Sequence, residues 1–170
     1  GLKKLAIGAG DASATINNLS TATSLSTDVI QELTHVAISS NSSFEGLQKT
    51  LGSFQRRLKD VGDEGKESIK TLNSIGVALY DASGATRSMD DVLIDTLSRL
   101  GDMPDGLEKA AIGTKLFGRS WNEAALIVSS GSEGIEALRN EAQDLGMVLS
   151  GDLLNSADDF ATSMDVLSKR

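Results

Sequence analysis

Cysteine is absent from all 170 residues, so no disulfide framework, zinc–thiolate site or thiol nucleophile can be built. Histidine occurs once, at His35, which excludes a multi-histidine metal site. Proline also occurs once, at Pro104, and the aromatics number six: one Trp, one Tyr and four Phe. A sugar-binding platform needs clustered rings, and this chain has few to cluster. No apolar run approaches the roughly 20 residues needed to span a bilayer; the densest is Ala124-Ala125-Leu126-Ile127-Val128. Positive charge is in deficit, with 24 acidic against 16 basic residues and a net charge of −8. That balance is the opposite of the signature of a nucleic-acid or anionic-membrane binder.

What the chain does have is glycine, 17 residues of it, set between amphipathic stripes. Phe44, Leu47, Leu51, Phe54, Leu58 and Val61 are spaced 3, 4, 3, 4 and 3 apart. This places all six on one face of a helix of about five turns. Ser42, three residues before Glu45, predicts a capping box at its start, and Gly62 predicts a left-handed stop. The same grammar recurs along the chain. Ser26 or Thr27 caps a helix bearing Val29, Ile30, Leu33 and Val36. Ile69, Leu72 and Ile75 end at Gly76. Ser88 opens a helix with Met89-Asp90-Asp91, whose acids suit the positive end of the dipole, and Val92, Leu93, Leu97 and Leu100 lead to Gly101. Asp105 and Glu108 open the next helix, which closes at Gly118; Ser120 and Glu123 form another box before a stop at Gly131. Ile135, Leu138, Ala142 and Leu145 end at Gly146, and Leu153, Ala157, Phe160, Met164 and Leu167 make the last stripe.

The expected fold is therefore all-α or nearly so: a multi-helix bundle or array of short, glycine-terminated helices. Val77–Tyr80, before the turn signal Ser83-Gly84, and Met147-Val148-Leu149 are expected as very short extended pieces. Ile75–Leu79 and Leu145–Leu149 resemble one another, a five-residue hint of duplication. Residues 1–24 are expected as a helical segment running into a Ser/Thr-rich hinge at Ser20–Ser26, and 25–170 as the main helical domain. The chain opens at Gly1 and stops at Lys169-Arg170 inside a helical pattern, so a longer parent is expected.

Catalytic motifs are weak. Leu5-Ala6-Ile7-Gly8-Ala9-Gly10 imitates a dinucleotide fingerprint, but Ser13 holds the third small position and the acid, Glu32, lies inside a helical stripe. Gly118-Arg119-Ser120-Trp121-Asn122 imitates a nucleophile elbow without the final glycine or a preceding strand. Asp81–Val92 has the length of a calcium loop but has Thr86 where glycine is required and Val92 where an acid is required. His35 near Glu32 reads as a helix-surface residue, and Asp158-Asp159 as dipole compensation. Trp121 reads as a core anchor or an edge between helices. Arg56, Arg57 and Lys59 sit late in their helix, where cations suit the negative end; a phosphate-binding patch is the sharper alternative. No catalytic, cofactor or metal residue is assigned. For a small hydrolase, Asp90, Asp91 and Asp95 are the residues to mutate first.

The order of these elements resembles the core region of the phage tail tape measure protein family. Leu25-Ser26-Thr27, Ser43-Phe44-Glu45-Gly46-Leu47 and Leu72-Asn73-Ser74-Ile75-Gly76-Val77 are similar to three of its segments. The most specific stretch is Met103-Pro104-Asp105-Gly106-Leu107-Glu108-Lys109-Ala110 followed by Lys115-Leu116-Phe117-Gly118-Arg119-Ser120. Gly131-Ser132-Glu133-Gly134-Ile135 and Leu145–Ser150 match as well. Trp121 departs from the pattern, which has glycine there. The resemblance covers roughly 25 to 170. It implies a non-enzymatic structural protein of the tail lumen, in the host cytoplasm during assembly, which sets tail length and admits DNA passage. Tube subunits and tail assembly chaperones are the implied partners. A helical interaction or adaptor module unrelated to tails is the alternative. The Phe44–Val61 stripe has near-heptad spacing and suits either intrachain packing or self-association.

Overall fold

The computed structural model describes residues 9–155. Within them lie the α-helices α1 Ala9–Thr23, α2 Thr27–Ser39, α3 Phe44–Lys59, α4 Asp63–Ser74, α5 Met89–Asp102, α6 Leu107–Phe117, α7 Trp121–Ile127 and α8 Gly131–Asp144, and residues 151–155 are helical as well. A single 3₁₀ turn, Gly118–Ser120, joins α6 to α7. The fold is all-α, and no β-strand occurs among the described residues. Of the two expected extended pieces, one contributes a lone antiparallel bridge, Tyr80 to Thr86. The other, 147–149, is irregular.

Helix starts follow local chemistry at three serines. Ser26, Ser43 and Ser88 are extended residues whose hydroxyls accept from the backbone N–H of Val29, Gly46 and Asp91. Each satisfies a donor that the first helical turn would leave free. The cap of α3 is therefore Ser43 and not Ser42. Ser42 instead donates to Glu123 Oε2 at 2.8 Å, a partner from α7 that the local sequence does not reveal. Glu45, expected to complete the box, pairs with Lys49 at 3.5 Å. The Ser120/Glu123 box does not form either. The chain enters α7 directly from the 3₁₀ turn, Ser120 is already helical, and its hydroxyl donates to Lys49 O at 3.1 Å. Asp105 is likewise not a cap: Gly106 holds that position without a side-chain bond, and Asp105 pairs with Lys109 at 3.0 Å.

The α3–α4 junction differs from expectation. The helix stops at Lys59, so Val61 leaves the stripe and is 93% exposed. Gly62 has φ −90° and precedes α4; it is not a left-handed stop. Asp60 makes the break, because its carboxylate accepts from Gly62 N and Gly65 N, both at 3.1 Å. Gly76 and Gly146 do stop their helices, with φ +83° and +70°. At each, the glycine N–H bonds the carbonyl three residues back and the next N–H reaches five back: Val77 to Leu72 and Met147 to Ala142, both 2.9 Å. This Schellman geometry accounts for the likeness between Ile75–Leu79 and Leu145–Leu149 without a duplication. Gly101 does not end α5, which runs to Asp102; a Cβ there would lie 2.9 Å from Val128 O, so it permits close approach of the α7–α8 turn. Residues 20–23, expected in a hinge, complete α1, and Ser20 Oγ donates to Leu25 O at 2.5 Å.

α3 is the hub: α1, α2, α4, α6 and α7 pack on it, while α2 carries the core across to α8, which also covers α5. One continuous apolar cluster results, with Leu47, Leu51, Phe54, Ile30, Leu33, Leu97 and Phe117 all essentially buried. Leu145 and Leu153, expected on stripes, are 64% and 57% exposed. Neighbouring Leu154 is buried instead. Ala157, Phe160, Met164 and Leu167, with Asp158 and Asp159, lie outside the described residues.

Candidate functional site

The candidate motifs separate in space. Asp90 Oδ1 accepts from Ser26 N at 2.8 Å and so ties α5 to the start of α2. Asp95 pairs with Arg87 at 2.6 Å, and Asp91 follows the Ser88 cap. Asp90 and Asp95 are thus each held by a different partner, Asp91 contributes its backbone N–H to the Ser88 cap, and among the described residues no group of three His, Asp or Glu side chains converges as a metal site. Asp81 turns the chain back tightly by accepting from Ser83 N and Ala85 N at 2.8 and 3.1 Å. These bonds, with that from the Ser83 hydroxyl foremost, hold its carboxyl below the ordinary aspartate value. Ala9 and Gly10 of the dinucleotide-like segment are helical, and residues 5–8 lie outside the described residues.

His35 and Glu32 are brought together, but as parts of the α2–α8 seam. Glu32 accepts from Arg139 Nε at 2.9 Å and Gln143 Nε2 at 2.6 Å; His35 Nε2 meets Glu141 Oε1 at 3.0 Å. Gln31 adds a two-way bond to the backbone of Leu149, 2.9 Å in each direction. A buried carboxylate needs such partners, and no local pattern points to them because they lie over a hundred residues away. Trp121 is half-buried at the α6–α7 corner. Its ring stacks near Phe117, with centroids 6.5 Å apart, and presses on Gly113, where an added Cβ would collide with it.

A concave feature lined by four cations lies at the end of α3. It is an open groove of about 760 Å³ floored by Phe117 and Gly118. Arg56, Arg57 and Lys59 line it from one side and Arg119, from the 3₁₀ turn, from the other. Arg57 is fixed by Glu64 at 3.2 Å and by Lys115 O at 3.2 Å. It passes beneath Gly118, whose φ of +57° suits glycine and where a Cβ would come within 2.5 Å of the guanidinium. Arg56 donates to Ser53 Oγ at 3.2 Å. Arg56, Lys59 and Arg119 form no salt bridge among the described residues. Sequence reasoning singled out the three α3 cations but missed Arg119, which only the α6–α7 corner delivers to them.

Two smaller clefts, of about 300 and 290 Å³, lie beside Trp121 and between α5 and α8, the latter edged by Glu32 of α2. No described helix is long and apolar enough to cross a membrane. Comparison with family models, curated proteins and solved structures gives no match to this chain.

Proposed function

We propose that this chain is a structural segment of a phage tail tape measure protein. The observation that carries the reading is the order and spacing of Met103–Ala110 and Lys115–Ser120 within a series of similar segments from about residue 25 onward. The physical roles of those residues suit an architectural motif. Asp105 and Lys109 pair, Phe117 is fully buried, and Gly118 turns the chain through a left-handed conformation. They spend their chemistry on shaping a corner and not on a reaction. On this reading the segment has no catalytic role, resides in the tail lumen after assembly in the host cytoplasm, and meets tube subunits and tail chaperones through helical surfaces.

The test is genetic and physical together. The gene encoding this chain is expected among tail genes, and peptides from 25–155 are expected in purified tails by mass spectrometry. In-frame removal of 25–155 is expected to abolish tails or alter their length in electron micrographs. Normal tails of unchanged length, or purified tails without these peptides, overturn the reading. In that case the adaptor alternative stands.

A further inference from the structure

We propose that the groove between the end of α3 and the Gly118–Ser120 turn is a binding site for a compact polyphosphate group, such as the di- or triphosphate of a nucleotide or its inorganic equivalent. The inference is independent of the tail reading.

The argument starts from unbalanced charge. The chain carries eight more acids than bases, so a cation has carboxylates to choose from. Yet among the described residues Arg56, Lys59 and Arg119 form no salt bridge, although they share one concavity with Arg57. The two acids lining the groove are already committed. Asp60 accepts from two backbone N–H groups at the start of α4, and Glu64 holds Arg57. Four cations against two acids leave an excess of two positive charges in this groove, in a chain whose net charge is −8. Compensation of the α3 dipole explains cations in the last turn of α3. It does not explain Arg119, which comes from another element and closes the opposite side.

Geometry selects the ligand class. Guanidinium forks match phosphate oxygens in bidentate fashion, and Arg57 is held in place beforehand, so little order is lost on binding. The volume lies in the range of small-ligand clefts. A di- or triphosphate concentrates its charge in a compact group. An acidic peptide spreads its charge along an extended backbone, and a nucleic acid needs a continuous basic track, which the acidic remainder of the chain does not provide.

The experiment is calorimetric titration of the whole chain with inorganic tripolyphosphate at low ionic strength, with sulfate and a short single-stranded oligonucleotide as comparisons. Saturable binding of tripolyphosphate, weakening with added salt, is expected. Arg119→Ala is expected to weaken it about tenfold, equivalent to about 1.4 kcal/mol, and Arg119→Glu to abolish it. Arg119 is exposed and makes no side-chain bond among the described residues, so these variants keep the fold, which far-ultraviolet circular dichroism checks. Lys49→Ala removes an ammonium that pairs with Glu45 outside the groove lining and keeps the backbone carbonyl that holds Ser120, so it is expected to bind as the parent does. Three outcomes overturn the proposal: no saturable binding, binding indifferent to Arg119, or sulfate binding as tightly as tripolyphosphate. Tighter, Arg119-dependent binding of the oligonucleotide overturns the compact ligand in favour of a nucleic-acid strand.

Discussion

At the scale of single residues, glycines here admit neighbours as much as they end helices. Gly113 lies buried in α6 and the Trp121 ring occupies the space a side chain would fill. Gly113→Ala is expected to destabilise the chain by about 1–3 kcal/mol through overpacking. In a Trp121→Ala background the same change is expected to cost far less, because the ring it meets is gone. Urea denaturation of both singles and the double variant measures that coupling directly; additive effects would show that the contact carries no strain. This pair also gives Trp121 its meaning. Its ring is accommodated by a glycine one helix earlier.

Asp102 makes a residue-scale contact with consequences for a whole helix. It ends α5 and accepts from Ser132 N at 2.9 Å in the first turn of α8. The Ser132 hydroxyl and backbone bonds, with Arg99 nearby, hold its carboxyl below the ordinary aspartate value of 3.8. A carboxylate whose folded pKa is depressed contributes stability above the unfolded value and loses it as pH falls through the folded value. Asp102→Asn is therefore expected to lower the Tm at neutral pH. The gap between parent and variant is expected to narrow steadily below about pH 4. Thermal melts across that window read the trend, and a gap constant with pH would remove Asp102 from the account.

At the scale of elements, the caps show how far local sequence reaches. Ser26 and Ser88 were legible because nothing distant competes for their hydroxyls. Ser42 misled because Glu123, eighty-one residues away, takes its hydroxyl, and Ser43 does the capping. Ser43→Ala is expected to cost about 1 kcal/mol, the usual loss for an N-cap serine. Ser42→Ala is expected to act differently: it should lower stability in the parent but have little effect in a Glu123→Ala background. Chemical denaturation of the four variants separates the two roles; the reverse pattern would restore Ser42 as the cap. Val61 and Leu145 misled for a related reason. Periodicity extends a stripe for as long as apolar residues fall in phase, whereas the helix ends where backbone groups find other partners. Asp60 supplies these at one place, and the Gly146 turn at the other. The candidate groove was half legible. Three of its cations share one helix and announce themselves; the fourth arrives only through the folding of the α6–α7 corner.

At the scale of the whole molecule, the decisive fact is where α3 spends its apolar face. Leu47, Leu51 and Phe54 are at most 2% exposed within one chain, covered by the surrounding helices. A second copy cannot use that face without unfolding the first, so the face serves intrachain packing. The only tryptophan, Trp121, lies on the α3–α6–α7 side, whereas the polar bonds between α2 and α8 run through Glu32 and His35. If that polar seam were a weak joint, tryptophan fluorescence and helical circular dichroism would melt at different denaturant concentrations. The buried cluster, however, runs unbroken from Phe117 through Leu51 and Leu33 to Ile135. Its continuity predicts coincident transitions by both probes. Leu51→Ala at the hub is expected to shift them together by about 2–5 kcal/mol, a large share of the roughly 5–15 kcal/mol that holds a domain folded. Separate transitions in that variant would mean that the seam, and not the core, sets the cooperative unit.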